Sequence, residues 1–204
     1  MRHITLTVIL LCYGLLWQTP DAKAGSATEA LRALLEHAMA LQTQGDLQGE
    51  GQRSKRAQLT HQLIADNFLA TAMAQASLQA SWETLSQTQR QEFTALFIDL
   101  FQDSYTRLVL NYLHQETVEY RAEQPESDGI RLPTLLKRVN EYIPVDYAMV
   151  QHDGRWMVRD VTIDGVSIVG NYQQQFRRVI QVQSFDELLK KLRLQSQAIR
   201  GKPA

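Results

Sequence analysis

Apolar positions recur at helical spacing through one long stretch of the chain. Phe93, Leu96, Phe97, Leu100, Phe101, Tyr105, Leu108 and Tyr112 fall on a single three-four repeat, while Gln91, Asp99, Gln102, Asp103 and Arg107 take the opposite face. Ser86-Gln87-Thr88-Gln89 just ahead fits a capping box, so a helix is predicted from there to about His114. Its aromatic bulk suits packing over an open sheet better than contact with another helix. Shorter helical patterns come first. Thr28–Leu41 carries Leu31, Leu34, Leu35, Ala38 and Met39, with Glu29 in the first turn. Ser54–Ala70 carries Leu59, Leu63, Ile64, Phe68 and Leu69, and a third pattern covers Thr71–Thr84. Gln44–Arg53, with Gly45, Gly49 and Gly51, reads as a loop.

From Thr117 the period changes to that of strands. Thr117–Arg121, Ile130–Asn140, Tyr142–Gln151 and Arg155–Ile163 are the candidates. Asp153-Gly154 predicts a tight hairpin, and the short links predict an antiparallel sheet. Pro133 and Pro144 have no N–H to give a ladder, so they are expected at edges or bulges, where they would bend the sheet. Arg155–Ile163 leads into a turn at Asp164-Gly165. Val169, Tyr172, Phe176, Val179 and Ile180 then return to helical spacing. This strand, hinge and helix should fold back across the sheet. Ser184-Phe185-Asp186-Glu187 predicts a second capping box and a closing helix that buries Leu188, Leu189 and Leu192, with Ala198–Ala204 frayed. Helices, then strands, then helices is an α+β order: a bent antiparallel sheet of about four strands covered by N-terminal and C-terminal helices. Periodicity leaves open whether the space between is solid core or an apolar cavity.

Composition narrows the class. The chain of 204 residues is 44% hydrophobic and 21% charged, which is ordinary for a globular protein. Residues 1–24 differ from the rest. Arg2 and His3 precede an apolar run from Ile4 to Trp17, and Ala22-Lys23-Ala24 ends on small residues. That is the order of a cleaved secretory signal peptide, and the run is shorter than the roughly 20 residues that span a bilayer. Residues 25–204 are then expected as one domain. Cys12, the one cysteine, lies in the leader, so the mature chain has no disulfide and no thiol chemistry. Removing the leader leaves 19 basic and 21 acidic residues. This near-neutral balance argues against nucleic acid as a partner.

Signatures of catalysis are sparse. The chain has no H-E-x-x-H, no G-x-S-x-G, no P-loop and no glycine-rich dinucleotide fingerprint. His37, His61, His114 and His152 stand at no metal-ligand spacing from one another. Asp146, Asp160 and Asp164 fall near the wall or mouth of the sheet. A carboxylate buried in an apolar cavity would have a raised pKa and act as a base, but a turn or hydrogen-bonded role is the simpler reading of each.

An ordered set of segments carries a resemblance to a known family. Gly154-Arg155-Trp156-Met157-Val158-Arg159-Asp160-Val161-Thr162-Ile163-Asp164-Gly165-Val166-Ser167-Ile168-Val169, followed by Asn171-Tyr172-Gln173-Gln174-Gln175-Phe176, resembles the tryptophan, strand, turn and helix of the MlaC family of periplasmic phospholipid-binding proteins, also called the toluene-tolerance family. Ser184–Leu192 is similar to its closing helix, and Trp82 through Phe93 to its tryptophan and "T-x-x-Q-R" ahead of the long helix. Departures are Asp164, where Glu is usual, and Gln79, where a Gly usually precedes the tryptophan.

The resemblance implies a soluble periplasmic carrier that maintains outer-membrane lipid asymmetry. It would bind phospholipid by its acyl tails between helices and sheet. It would shuttle this cargo between an inner-membrane ABC transporter with a substrate-binding ring and an outer-membrane lipoprotein complex. No cofactor and no catalytic motif are implied. The lipid-binding residues expected are Phe97, Phe101, Tyr105 and Leu108 from the long helix. Tyr147, Met149, Trp156 and Val158 are expected from the sheet, and Val166, Ile168, Tyr172 and Phe176 from the hinge and following helix. Two rival readings remain. A small cradle-fold enzyme, an isomerase or hydrolase, would need Asp146, Asp160 or His61 in the cavity. An adaptor without lipid would need a solid core.

Overall fold

A computed structural model describes residues 26–201; the leader expectation lies outside them. Ser26 opens helix α1 (Ala27–Thr43) with a reciprocal capping box to Glu29. The Gln44–Arg53 segment holds two short 3₁₀ turns, and its Leu47 is buried. Helices α2 (Arg53–Asn67), α3 (Ala70–Leu78) and the single turn α4 (Ala80–Glu83) follow. The chain breaks twice here, at extended Phe68 and at Gln79. Helix α5 (Gln87–Tyr112) starts at the predicted Ser86–Gln89 capping box. At α7 (Phe185–Arg200), Ser184 caps the Glu187 N–H, while the Glu187 carboxylate turns to Lys190, so that box is half made. This last helix runs on to Arg200 through the stretch expected to fray.

The sheet is antiparallel, in the order β1 (Thr117–Tyr120), β3 (Gly129–Lys137), β4 (Tyr142–His152), β5 (Arg155–Ile163), β6 (Val166–Ser167), with β2 (Gln124–Glu126) also on β3. Four predicted strands are present, joined by the short β2 and β6. Both Asp-Gly pairs form two-residue hairpins. Asp153 and Gly154 have φ of 49° and 75°, Asp164 and Gly165 of 49° and 78°. Positive φ at both positions is the type I′ pattern that matches strand twist. The expected hinge is therefore a second hairpin, after which β6 runs directly into α6 (Ile168–Val182).

The prolines lie inside strands. Pro133 pairs with Asp146 and Pro144 with Leu135. The Pro133 carbonyl accepts from the Arg121 N–H and the Pro144 carbonyl from the Asp164 N–H, each on the side away from the β3–β4 ladder. The missing donors therefore face the gap between β1 and β2 and the space beyond the end of β5, where no ladder bond is lost. The irregularity sits elsewhere. Ala148 pairs with Asp160 and Met149 with Val158, which leaves Arg159 as an extra residue, a β-bulge that bends its strand.

One apolar face of the sheet, with Leu132, Val145, Tyr147, Met149, Val158 and Val161, joins the helices in a single core. The stripe of α5 does not simply lie over this sheet. Phe93 and Phe97 meet the rings of Tyr172 and Phe176 on α6 and Phe185 on α7. Further along, Phe101 and Tyr105 meet Phe68.

Candidate functional site

Where the aromatic ladder ends, packing is incomplete. Rings stack along α5 from Phe97 to Phe101 at 6.2 Å and from Phe101 to Tyr105 at 5.6 Å, and Phe68 lies 4.9 Å from Tyr105. Beyond Tyr105 the inward positions are Leu108 and Val109, which fill less space than rings. An apolar cleft of about 270 Å³ opens there. Sheet residues Leu136, Ile143, Val145, Tyr147 and Ile163 form its floor. Leu34, Leu35 and Ala38 of α1, Thr60, Leu63 and Ile64 of α2, and Tyr105 to Tyr112 of α5 form its roof. A second cleft of about 260 Å³ lies under the β5–β6 hairpin, between α5 and α6. Tyr105, Leu108 and Ile163 line both and so act as the partition. Each cleft alone falls just short of the roughly 300–1,000 Å³ typical of small-molecule sites; together they lie within it.

Polar groups are few and most are already engaged. Tyr105 and Tyr147 interact through their hydroxyls, and burial pushes both well above the ordinary tyrosine range. For Tyr105 the Tyr147 hydrogen bond acts in the opposite sense and is outweighed. Both stay neutral and present uncharged hydroxyls to the cleft. Burial likewise raises Tyr172 in the second cleft. Arg138 stands at the mouth of the first cleft, donating to Glu116 Oε1 at 3.0 Å, Glu141 Oε2 at 3.4 Å and the Tyr112 carbonyl. Its charge is matched before any ligand arrives.

Seven of the twelve expected residues line these two clefts: Phe101, Tyr105, Leu108, Tyr147, Val166, Ile168 and Tyr172. Phe97, Met149, Val158 and Phe176 are packed into the core around them. Trp156 lines a separate surface groove against α1 and α2. Of the roof residues, Leu34, Leu35, Ala38, Leu63 and Ile64 belong to the predicted helix stripes, to which the sequence assigns no role in a site, and Thr60 lies off them. Their i, i+3, i+4 pattern was visible, but not the gap that it faces.

The candidate acids and base are placed elsewhere. The Asp160 carboxylate accepts from the Val161 N–H at 2.8 Å, the Val169 N–H at 3.1 Å and the Ser167 hydroxyl. It thereby clamps β5 to the first turn of α6. Asp146 faces Arg131 at 3.8 Å, on the sheet face opposite Val145 and Tyr147. His61 is exposed on α2. Among the described residues no acid-base pair lines the two clefts, and no group of His, Cys, Asp and Glu is placed to hold a metal ion.

Comparison with known proteins matches this architecture. Among solved structures, a phospholipid-binding protein from Ralstonia solanacearum, determined in complex with a phospholipid at 1.53 Å, is similar in fold, with a TM-score of 0.72. The two are 20% identical, and the match covers 86% of this chain and 99% of that one. No curated protein sequence matches. The family model described as MlaC protein matches residues 32–194, from inside α1 to near the end of α7. The chain belongs to the MlaC protein family.

Proposed function

We propose that this protein is a phospholipid carrier and not an enzyme. In this reading the acyl tails lie in the two adjoining clefts and the lipid moves between membranes of the cell envelope. The observation that carries the reading is the pair of apolar clefts meeting at Tyr105, Leu108 and Ile163, roofed by helices and floored by sheet. Family membership supports it, and the lipid-bound relative of the same fold is in keeping with it.

The energetics suit a carrier. A buried acyl chain gains about 0.8 kcal/mol per CH₂, so a chain of about 16 carbons gains roughly 13 kcal/mol over water. Membrane and protein interior offer similar burial. Cargo is retained in water and exchanged on docking, and its direction follows from the different affinities of donor and acceptor. The periplasm, an inner-membrane ABC transporter ring and an outer-membrane lipoprotein complex are the proposed setting. No cofactor is required.

Native mass spectrometry of the purified protein should show co-purifying phospholipid, and lipid-free protein should take it up from vesicles. Leu108→Arg places a charge at the partition and should lower bound lipid at least tenfold while far-UV circular dichroism is kept. Lipid-free protein that takes up none from vesicles would sink the reading.

A further inference from the structure

The groove lined by Trp156 adjoins the first cleft. It measures about 440 Å³ and lies between α1, α2 and the β4–β5 hairpin, with His37, Asn67, Arg155 and Met157 around it. Leu34 and Leu63 line both the groove and the cleft, so two aliphatic side chains, one from each helix, separate surface from interior. Asn67 donates to the Leu63 carbonyl at 2.8 Å, which holds the last turn of α2 at this spot.

The charges at the openings differ. Arg138, at the first cleft, is matched by Glu116 and Glu141. Among the described residues no charged side chain lines the second cleft. Arg155, exposed on the groove, is the one cation lining the three that has no acidic partner among the described residues. Nearby Asp153 lies 3.5 Å from His152. An unmatched guanidinium offers a planar fork of donors to a phosphate oxygen, and the Trp156 indole beside it suits the boundary between polar headgroup and acyl chain.

We propose that this groove is a second mouth of the apolar cleft, seating the phosphodiester headgroup of a bound phospholipid on Arg155 while Leu34 and Leu63 part to admit its tails. The proposal rests on the carrier reading and adds to it an orientation and an entrance. Arg155, Trp156 and His37 hold the headgroup end, and the tails point toward Tyr105 and Tyr147. Parting needs rotation of two side chains on adjacent helices, not displacement of the sheet.

The test uses vesicles of phosphatidylglycerol that carries a nitroxide either on the headgroup or at the end of one acyl chain. The full chain is loaded and the vesicles are removed. Bound lipid is measured by phosphate analysis, and tryptophan fluorescence is compared between the wild type and Trp156→Phe, so that the difference belongs to Trp156. The headgroup nitroxide should quench Trp156 at least twofold more than the tail-end nitroxide. Arg155→Gln should lower bound lipid at least threefold, with Arg155→Lys restoring part of it. Leu63→Trp, which fills the passage, should slow uptake about tenfold. Lipid bound without the headgroup preference overturns the second mouth and leaves the carrier reading standing; no lipid bound from either vesicle overturns both.

Discussion

Gln79 has a φ of 51° and a ψ of −131° at the break between α3 and α4, a conformation that costs a residue with a Cβ on the order of 1–3 kcal/mol. It stands where the family pattern has glycine. Its amide reaches Gln173 Oε1 at 3.0 Å on the surface, a bond too exposed to offset the strain. Gln79→Gly should therefore raise stability by about 1 kcal/mol, read as a higher urea midpoint; a lower midpoint would refute the strain. The sequence predicts one helical pattern over Thr71–Thr84 and gives no sign that it breaks at Gln79; the φ is set by how α3 and α4 must pack. The buried tyrosines give a pH test. Burial raises both Tyr105 and Tyr147, so above the ordinary tyrosine value of about 10 the unfolded chain releases protons that the folded chain retains. Stability should be full below about pH 10 and fall as pH rises beyond it. Denaturant midpoints across that range should lose part of this slope in Tyr105→Phe, and an unchanged slope would count against it.

At the scale of elements, the bulge at Arg159 decides what the cavity is made of. Strict alternation from Val158 would aim Asp160 and Thr162 at the helices. The extra residue reverses the phase, so Val161 and Ile163 pair with Tyr147 and Val145 on the apolar face and Asp160 turns outward. This is why the Asp160 carboxylate, one of the three groups that a cradle enzyme could place in the cavity, is absent from the cleft. Asp160→Ala leaves the Ser167 hydroxyl and the Val161 and Val169 N–H groups short of an acceptor. It should cost about 2 kcal/mol and speed hydrogen exchange in the first turn of α6 above that of β4; uniform exchange would mean that the clamp is not local. Other features were legible. Both Asp-Gly turns, the Ser86 cap and three of the four main strands within one residue of each end followed from local chemistry. The placing of Pro133 and Pro144 depended on where neighbouring strands stop, which no local pattern encodes.

Across the whole molecule, α+β order and one apolar sheet face were readable, whereas the cleft was not. A cavity is the small difference between surfaces contributed by α1, α2, α5 and three strands, and shifting one ring can fill it. Phe97 and Phe176 illustrate this: their spacing matched that of the lining residues, yet they are core because α6 lies against that part of α5. The junction between α2 and α3 has a consequence of another kind. The Leu69 N–H donates to the Val158 carbonyl at 2.9 Å, and Phe68 bridges Val158. β6 covers β5 only at Thr162 and Ile163. The middle of an otherwise open edge strand is thus occupied by two residues of chain, and bare edges recruit other copies of themselves. Leu69 has a φ of −81° and Phe68 is extended, so Leu69→Pro fits the backbone while removing that single donor. It should leave the helical circular dichroism in place and shift the protein toward sheet-rich aggregates in sedimentation; a variant as monodisperse as the wild type would show the edge to be guarded by other means. The short break between two helices, needed to turn the chain, then also keeps copies of this protein apart.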